Sequence, residues 1–301
     1  MKKKVMMLGV GLTIGSALVA TSAFAGIGEA KGYEAYKTAL KTTAAVASST
    51  DRVTLSMRDN GTELLNVSTT VKSDQTAGTA SGQAEIKAGS VSQTFEFYQQ
   101  DGKHVFKAGG SDTYEVMEDR SREEWKEHEQ ALRDPAFSAE MEKVVDALVG
   151  NLKNQFDIQS EADGTSTIDA KLTGSEIPAA VNVIGSLFVK EGLSGKHADR
   201  WDRHSPAKDA LGLDIPQIAE RFPKLTQDVN LDEIELHAVI DENDIVSSQE
   251  IDFTVSGKDA SGKSHEVVIR AAVETTGLGA TTPDTIDLTG KKIETVKDMR
   301  D

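Results

Sequence analysis

The sequence predicts an α+β protein: a curved, largely antiparallel β-sheet, a half-barrel, covered on one face by helices. Two observations predict it. Long runs alternate apolar and polar residues with a period of two and are joined by tight-turn pairs such as Asn60-Gly61 and Asp101-Gly102. Other runs repeat apolar residues at three- and four-residue steps. One-sided alternation means that one sheet face is buried while the other is wet or faces a cavity. Helices grouped on one side would supply the cover.

The elements follow in order. Residues 28–47 read as a helix, with Tyr33, Tyr36, Leu40 and Ala44 on one side, ended by Ser48, Ser49 and Thr50. The period then drops to two: Val53, Leu55 and Met57 share a face, and Leu65, Val67, Thr69 and Val71 return after Asn60-Gly61. Residues 76–88 carry Ala80, Ala84, Ile86 and Ala88 with Gly78 and Gly82, small side chains that would leave room inside the sheet. Val91, Phe95 and Phe97 follow, then Asp101-Gly102, the strand HVFK, and Tyr114 with Val116. This is a meander of about six strands from Asp51 to Met117.

Residues 120–150 switch back to helix. Trp125, His128 and Leu132 form a narrow stripe, Asp134-Pro135 breaks it, and Phe137, Met141, Val144, Val145 and Leu148 give a clean apolar face ended by Gly150. The second half repeats this order. Thr165 to Leu172 is a strand, and Pro178 opens a helix carrying Val181, Ile184, Leu187 and Phe188. A polar stretch from Glu191 to Lys208 and a short helix within 211–225 precede three closing strands. Their inward residues are Ile234 to Ile240, Ser247 to Val255, and Val267 to Val273.

Composition narrows the function. Lys2, Lys3 and Lys4, the uncharged run from Val5 to Ala20 and the motif Ala23-Phe24-Ala25 form a secretory signal peptide over 1–25, with cleavage expected after Ala25. The mature chain is then an extracytoplasmic, secreted protein with one domain over 26–275 and a loosely packed tail over 276–301. The chain has 33 Lys and Arg against 49 Asp and Glu, and loss of the three signal lysines leaves a net charge of −19. Such acidity disfavours nucleic acid and anionic membrane surfaces as partners. There is no cysteine, which excludes disulfides, thiolate chemistry, cysteine metal sites and a lipid anchor through cysteine. No stable membrane anchor is expected.

The helix GYEAYKTALKTTAAV runs directly into VTLSMRDNGTELLNVSTTV, and a proline-bounded segment runs into LDEIELHAVIDENDIVSSQEIDFTV and GKSHEVVIRAAVE. This layout resembles secreted proteins of spore-forming Gram-positive bacteria with the LolA/LppX lipoprotein-carrier architecture, an unclosed β-barrel under a helical lid. The resemblance covers most of the mature chain and implies a hydrophobic concavity between sheet and helices. A lipid or other apolar ligand would occupy it, against the helix faces Phe137, Met141, Val145 and Val181, Ile184, Phe188. No basic residue matches a carrier's lipid-contacting position, so no further binding residue is carried over.

Catalytic signals are sparse. KHADRWDRH places His197, Asp199, Asp202 and His204 together, and imidazole and carboxylate ligate zinc or manganese. Two histidines seven apart do not reach one ion from a helix, and position 201, where a helical second ligand belongs, is Trp201. Lys196, Arg200 and Arg203 pair better with the aspartates. Ser205 to Lys208 matches S-x-x-K without its companion motifs. Asp241 to Asp252 lacks the glycine and glutamate of a calcium loop and reads as a hairpin turn. His104, His128, His237 and His265 read as single polar or packing residues. No cofactor, metal site or catalytic residue is assigned. The sequence reads as a non-catalytic binding protein; the alternatives are an envelope scaffold or sensor contacting a cell-envelope protein, and an extracellular metal-dependent hydrolase.

Overall fold

The computed structural model describes residues 30–118, 150–179, 181–182, 218 and 220–295. One α-helix, α1 (Lys31–Ala44), leads into six strands: β1 (Ser48–Asp59), β2 (Thr62–Asp74), β3 (Thr79–Ala88), β4 (Val91–Gln100), β5 (Lys103–Ala108) and β6 (Thr113–Glu118). Six more follow: β7 (Phe156–Ser160), β8 (Ser166–Thr173), β9 (Gln227–Ile240), β10 (Val246–Lys258), β11 (Ser264–Thr276) and β12 (Lys292–Thr295). All join one sheet in the order β12-β6-β5-β4-β3-β2-β1-β11-β10-β9-β8-β7. The sheet is unclosed, and every pairing is antiparallel except β12 with β6.

The α+β expectation is overturned. Among the described residues one α-helix stands against twelve strands, so the class is mainly β. The strands run longer than the periodicity marked, and β7 and β12 were not expected. The helix expected over 120–150 lies outside the described residues apart from Gly150. Of the helix expected from Pro178, residues 178, 179, 181 and 182 are described; of the 211–225 segment, residue 218 and residues from 220 onward.

The expected hairpins form where turn chemistry demanded them. Asn60 and Asp101 take φ of 47° and 52°, followed by Gly61 at 80° and Gly102 at 67°, the paired left-handed conformations of a type I′ turn. Register then sets the faces. Val53 of β1 lies opposite Thr69 of β2 and Val273 of β11, and the row continues through Ala84 and Phe95. We call this the inner face, because α1 packs on the same row at its other end, over Ile168 and Ala238.

Helix α1 is seated closely. A Cβ on Gly32 would lie 2.1 Å from the Phe156 carbonyl oxygen, so only glycine permits this approach. Tyr33 meets Phe156 edge-on at 5.3 Å, and Ala39 and Leu40 are buried. The Tyr36 hydroxyl donates to Gln249 at 2.7 Å, and the Val246 N–H donates to Thr43 Oγ1 at 2.8 Å. Burial pushes the Tyr36 phenol well above its ordinary pKa.

The segment after Thr276 crosses the opposite, outer face as a strap, one strand at a time. Thr281 Oγ1 lies 3.0 Å from Thr50 Oγ1 on β1. Asp284 accepts from Lys72 of β2 at 3.0 Å, and its N–H donates to Ser81 Oγ of β3 at 2.8 Å. The Gln100 amide of β4 clamps the Ile286 backbone with two bonds of 2.8 Å. Ile286 and Leu288 pack over Val105, Tyr114 and Val116 of β5 and β6, and β12 then pairs with β6.

Candidate functional site

Three parallel rows cross the inner face. The upper row holds Val53, Thr69 and Ala84, which are buried, flanked by Val273 and Phe95, which are partly exposed. The lower row holds Met57 and Ala88, both buried, with the partly buried Leu65 between them; Met57 belongs to the cluster with Leu172, Ile177, Leu225 and Leu231, and Ala88 packs with Ile218. Between the two rows the register aligns Ile251 of β10, Ala271 of β11, Leu55 of β1, Val67 of β2 and Ile86 of β3. All five keep part of their surface in contact with solvent. The result is an uncharged aliphatic floor across five strands, about 19 Å long at the usual strand spacing. Helix α1 closes one side near β10, and Ile177, Leu225 and Phe222 close the other.

Of the predicted ligand-contacting residues, Val181 is described. It packs, partly buried, against the Met57/Leu172/Leu231 cluster that walls the floor, and its neighbour Asn182 donates to the Leu231 carbonyl at 3.1 Å. Phe137, Met141, Val145, Ile184 and Phe188 lie outside the described residues, as do His128, the segment from Lys196 to His204, and Ser205 to Lys208. Room expected at Gly82 is filled instead. A Cβ there would lie 2.5 Å from the ring of Phe97, which occupies that place, and Ala84 and Ala88 are buried.

Inside this face sits one buried side-chain polar atom with no hydrogen-bond partner among the described residues, the Thr69 hydroxyl. Thr69 is 3 % exposed, two residues along β2 from Val67. An orphaned buried hydroxyl costs about 1–3 kcal/mol.

The outer face of β7 to β11 is different. A shallow depression of about 360 Å³ is lined by Asp157, Asp169, Lys171, Glu235, His237, Glu250, Asp252 and Arg270. Most of its charges are already paired. Lys171 bridges Glu235 and Glu233, whose hydrogen bonds raise its pKa. Arg270 reaches Asp252 at 2.5 Å and Glu250 at 3.4 Å, and His237 Nδ1 lies 2.7 Å from Asp169. No group of three potential metal ligands is suitably placed among the described residues. The depression is a solvated ladder of ion pairs.

Sequence reading missed one constellation. His265 is buried, with Nδ1 2.9 Å from Asp59 and Nε2 3.4 Å from Asp259. Asp59 precedes the β1–β2 turn, and Asp259 opens the β10–β11 turn, so the imidazole ties two hairpin tips together. Asp259 also accepts from Ser261 and Lys263, and these bonds, Ser261 first, hold its carboxyl down at about 2. Asp59 beside Asn60-Gly61 was visible in the sequence; its distance from His265 depends on the β1–β11 register. The Asp241 segment is a hairpin turn, with Asp241 Oδ1 accepting from the Asn243 and Ile245 N–H groups.

No protein-family model matches the chain, and no curated protein is similar to it. Among solved structures the chain is similar to a DUF1329 family protein from Desulfovibrio piger, with TM-score 0.20 and 10 % identity over 83 % of this chain and 92 % of that one. It is also similar to a β-barrel-like protein of the domain of unknown function DUF1849 from Brucella abortus, with TM-score 0.18 and 10 % identity over 77 % and 100 %. A porin-like protein from Bacteroides uniformis gives TM-score 0.22 and 10 % identity over 77 % and 97 %. Overlap this low carries no functional argument. No helix among the described residues is long and apolar enough to cross a membrane.

Proposed function

We propose that the chain is an exported, non-catalytic binding protein that holds an apolar ligand, a lipid acyl chain, along the inner face of its sheet. The observation that carries this reading is the middle row: Ile251, Ala271, Leu55, Val67 and Ile86 are all partly exposed, whereas each flanking row holds fully buried residues. Packing of the sheet's own side chains fully buries Val53, Thr69 and Ala84 on one side and Met57 and Ala88 on the other, and no residue of this row. The floor is narrow, long and uncharged, which suits an extended aliphatic chain better than a polar or globular ligand. Covering roughly 200 Å² of it would contribute about 5 kcal/mol before the entropic cost of association. The aliphatic character of the floor and the paired charges of the outer depression both favour binding over hydrolysis.

Native mass spectrometry of the chain purified from its own secretion route, with solvent extraction of the same sample, tests the reading. A discrete added mass that extracts as a lipid is expected. Val67→Glu, which puts a carboxylate at the centre of the floor, should abolish the added mass while leaving a cooperative melt. A bare wild-type mass, unchanged after incubation with cell lipids, overturns the proposal.

A further inference from the structure

Among the described residues, strand β12 ends the sheet and is hydrogen-bonded on one side only, to β6. Its other edge presents Lys292, Ile293, Glu294 and Thr295, all exposed. Ile293, 46 % exposed, is the one large hydrophobic side chain left exposed among the described residues. It pairs with Tyr114, at the rim of the apolar patch that the strap covers with Ile286 and Leu288. On the opposite face of the same strand Glu294 lies directly beside Glu115 of β6.

We propose that this edge docks a second copy of the chain, β12 against β12, antiparallel about a twofold axis through Ile293. Antiparallel pairing centred there sets Ile293 against Ile293 of the partner subunit. It also sets Lys292 opposite Glu294 of the partner subunit and Glu294 opposite Lys292 of the partner subunit. The sequence Lys-Ile-Glu is therefore its own complement, as a twofold interface requires. Each Glu294 gains a lysine on the side away from Glu115, and the two apolar patches under the straps join through the isoleucine pair. An edge built only to repel other strands is better served by charge of one sign and no central hydrophobe. Four residues per copy make a small interface, so the association is weak and salt-sensitive.

Sedimentation equilibrium of the purified chain from about 10 μM to about 1 mM, the range in which small interfaces assemble, tests this. A monomer–dimer equilibrium is expected, weakened by added salt. Lys292→Glu and Glu294→Lys should each weaken it at least about tenfold, because every single reversal faces like charge across the axis twice. The double variant Lys292→Glu/Glu294→Lys restores the complement at the wild-type net charge and should recover dimerisation. Each single variant is also melted at about 10 μM, where so small an interface is largely dissociated, and a wild-type melting temperature is expected there for a variant that has lost the dimer alone. That separates loss of docking from loss of fold. A chain that stays monomeric across the range, or a dimer indifferent to the single reversals, overturns the proposal.

Discussion

At the β7–β10 end of the sheet the cover is a helix on the inner face; at the β3–β6 end it is an extended strap on the outer face. Helix α1 is held mainly by close apolar packing, with Leu40 and Ala39 buried over Ile168, Ala238 and Val246. The strap is held by alternating contacts: a hydroxyl pair at Thr50, an ion pair at Lys72, an amide clamp at Gln100, and then Ile286 and Leu288. The difference shows that the buried side of this sheet is not constant. In β1 the buried residues Val53 and Met57 point inward; at the other end Phe97 and His104 are buried on the inner face and Val105, Tyr114 and Val116 on the outer, so that end is buried on both faces. Each face is apolar where a cover exists.

The comparison predicts unequal sensitivity. Leu40→Ala empties a buried site under the helix and should cost about 2–4 kcal/mol, whereas Leu288→Ala, partly exposed in the strap, should cost about 1–2 kcal/mol, both read by urea denaturation. Equal losses would mean that the strap is as integral to the core as the helix. Thr69→Val tests the buried row between these two ends. Removing an orphaned hydroxyl at constant shape should stabilise the chain by about 1 kcal/mol, seen as a higher denaturation midpoint; a loss of stability would show that the hydroxyl has a partner.

The smallest effect belongs to the hairpin clasp. The Asp259 carboxyl is held at about 2 in the folded chain, below its usual 3.8, first by Ser261 and then by Lys263 and His265. A depressed folded pKa contributes stability that is fully present above about pH 4 and is lost as pH falls toward 2. Asp259→Asn should therefore flatten the acid limb of a melting-temperature profile between those values and leave the limb above pH 5 unchanged in slope. A parallel acid limb in the variant would remove the clasp from the account.

How much of this was legible follows from range. The α1 helix, the meander from β1 to β6 and the β9–β11 hairpins were readable because local signals make them: Asn60-Gly61, Asp101-Gly102 and two-residue alternation. Alternation gives two faces but does not say which one the fold will cover, so the outward burial of Val105 and Val116 was not readable. Nothing in the Gly-, Thr- and Asp-containing composition after Thr276 announces a strap, because its apolar anchors, Pro283, Ile286 and Leu288, are few and follow no strand or helix period. The open middle row likewise exists only once five strands are in register. The same limit hid His265, whose two carboxylates lie 206 and 6 residues away.

The β1–β11 pairing has a consequence in time. Val53 finds Val273 opposite it, 220 residues later in the chain. At a synthesis rate of about 5–20 residues per second, the edge of β1 waits roughly 10–40 s for its partner strand to be made. During that interval Val53, Leu55 and Met57 lie on a strand edge with no mate, the kind of surface that invites wrong pairing. A chain joined this way gains from being kept unfolded until its last hundred residues exist, which is what passage through an export channel before folding would do.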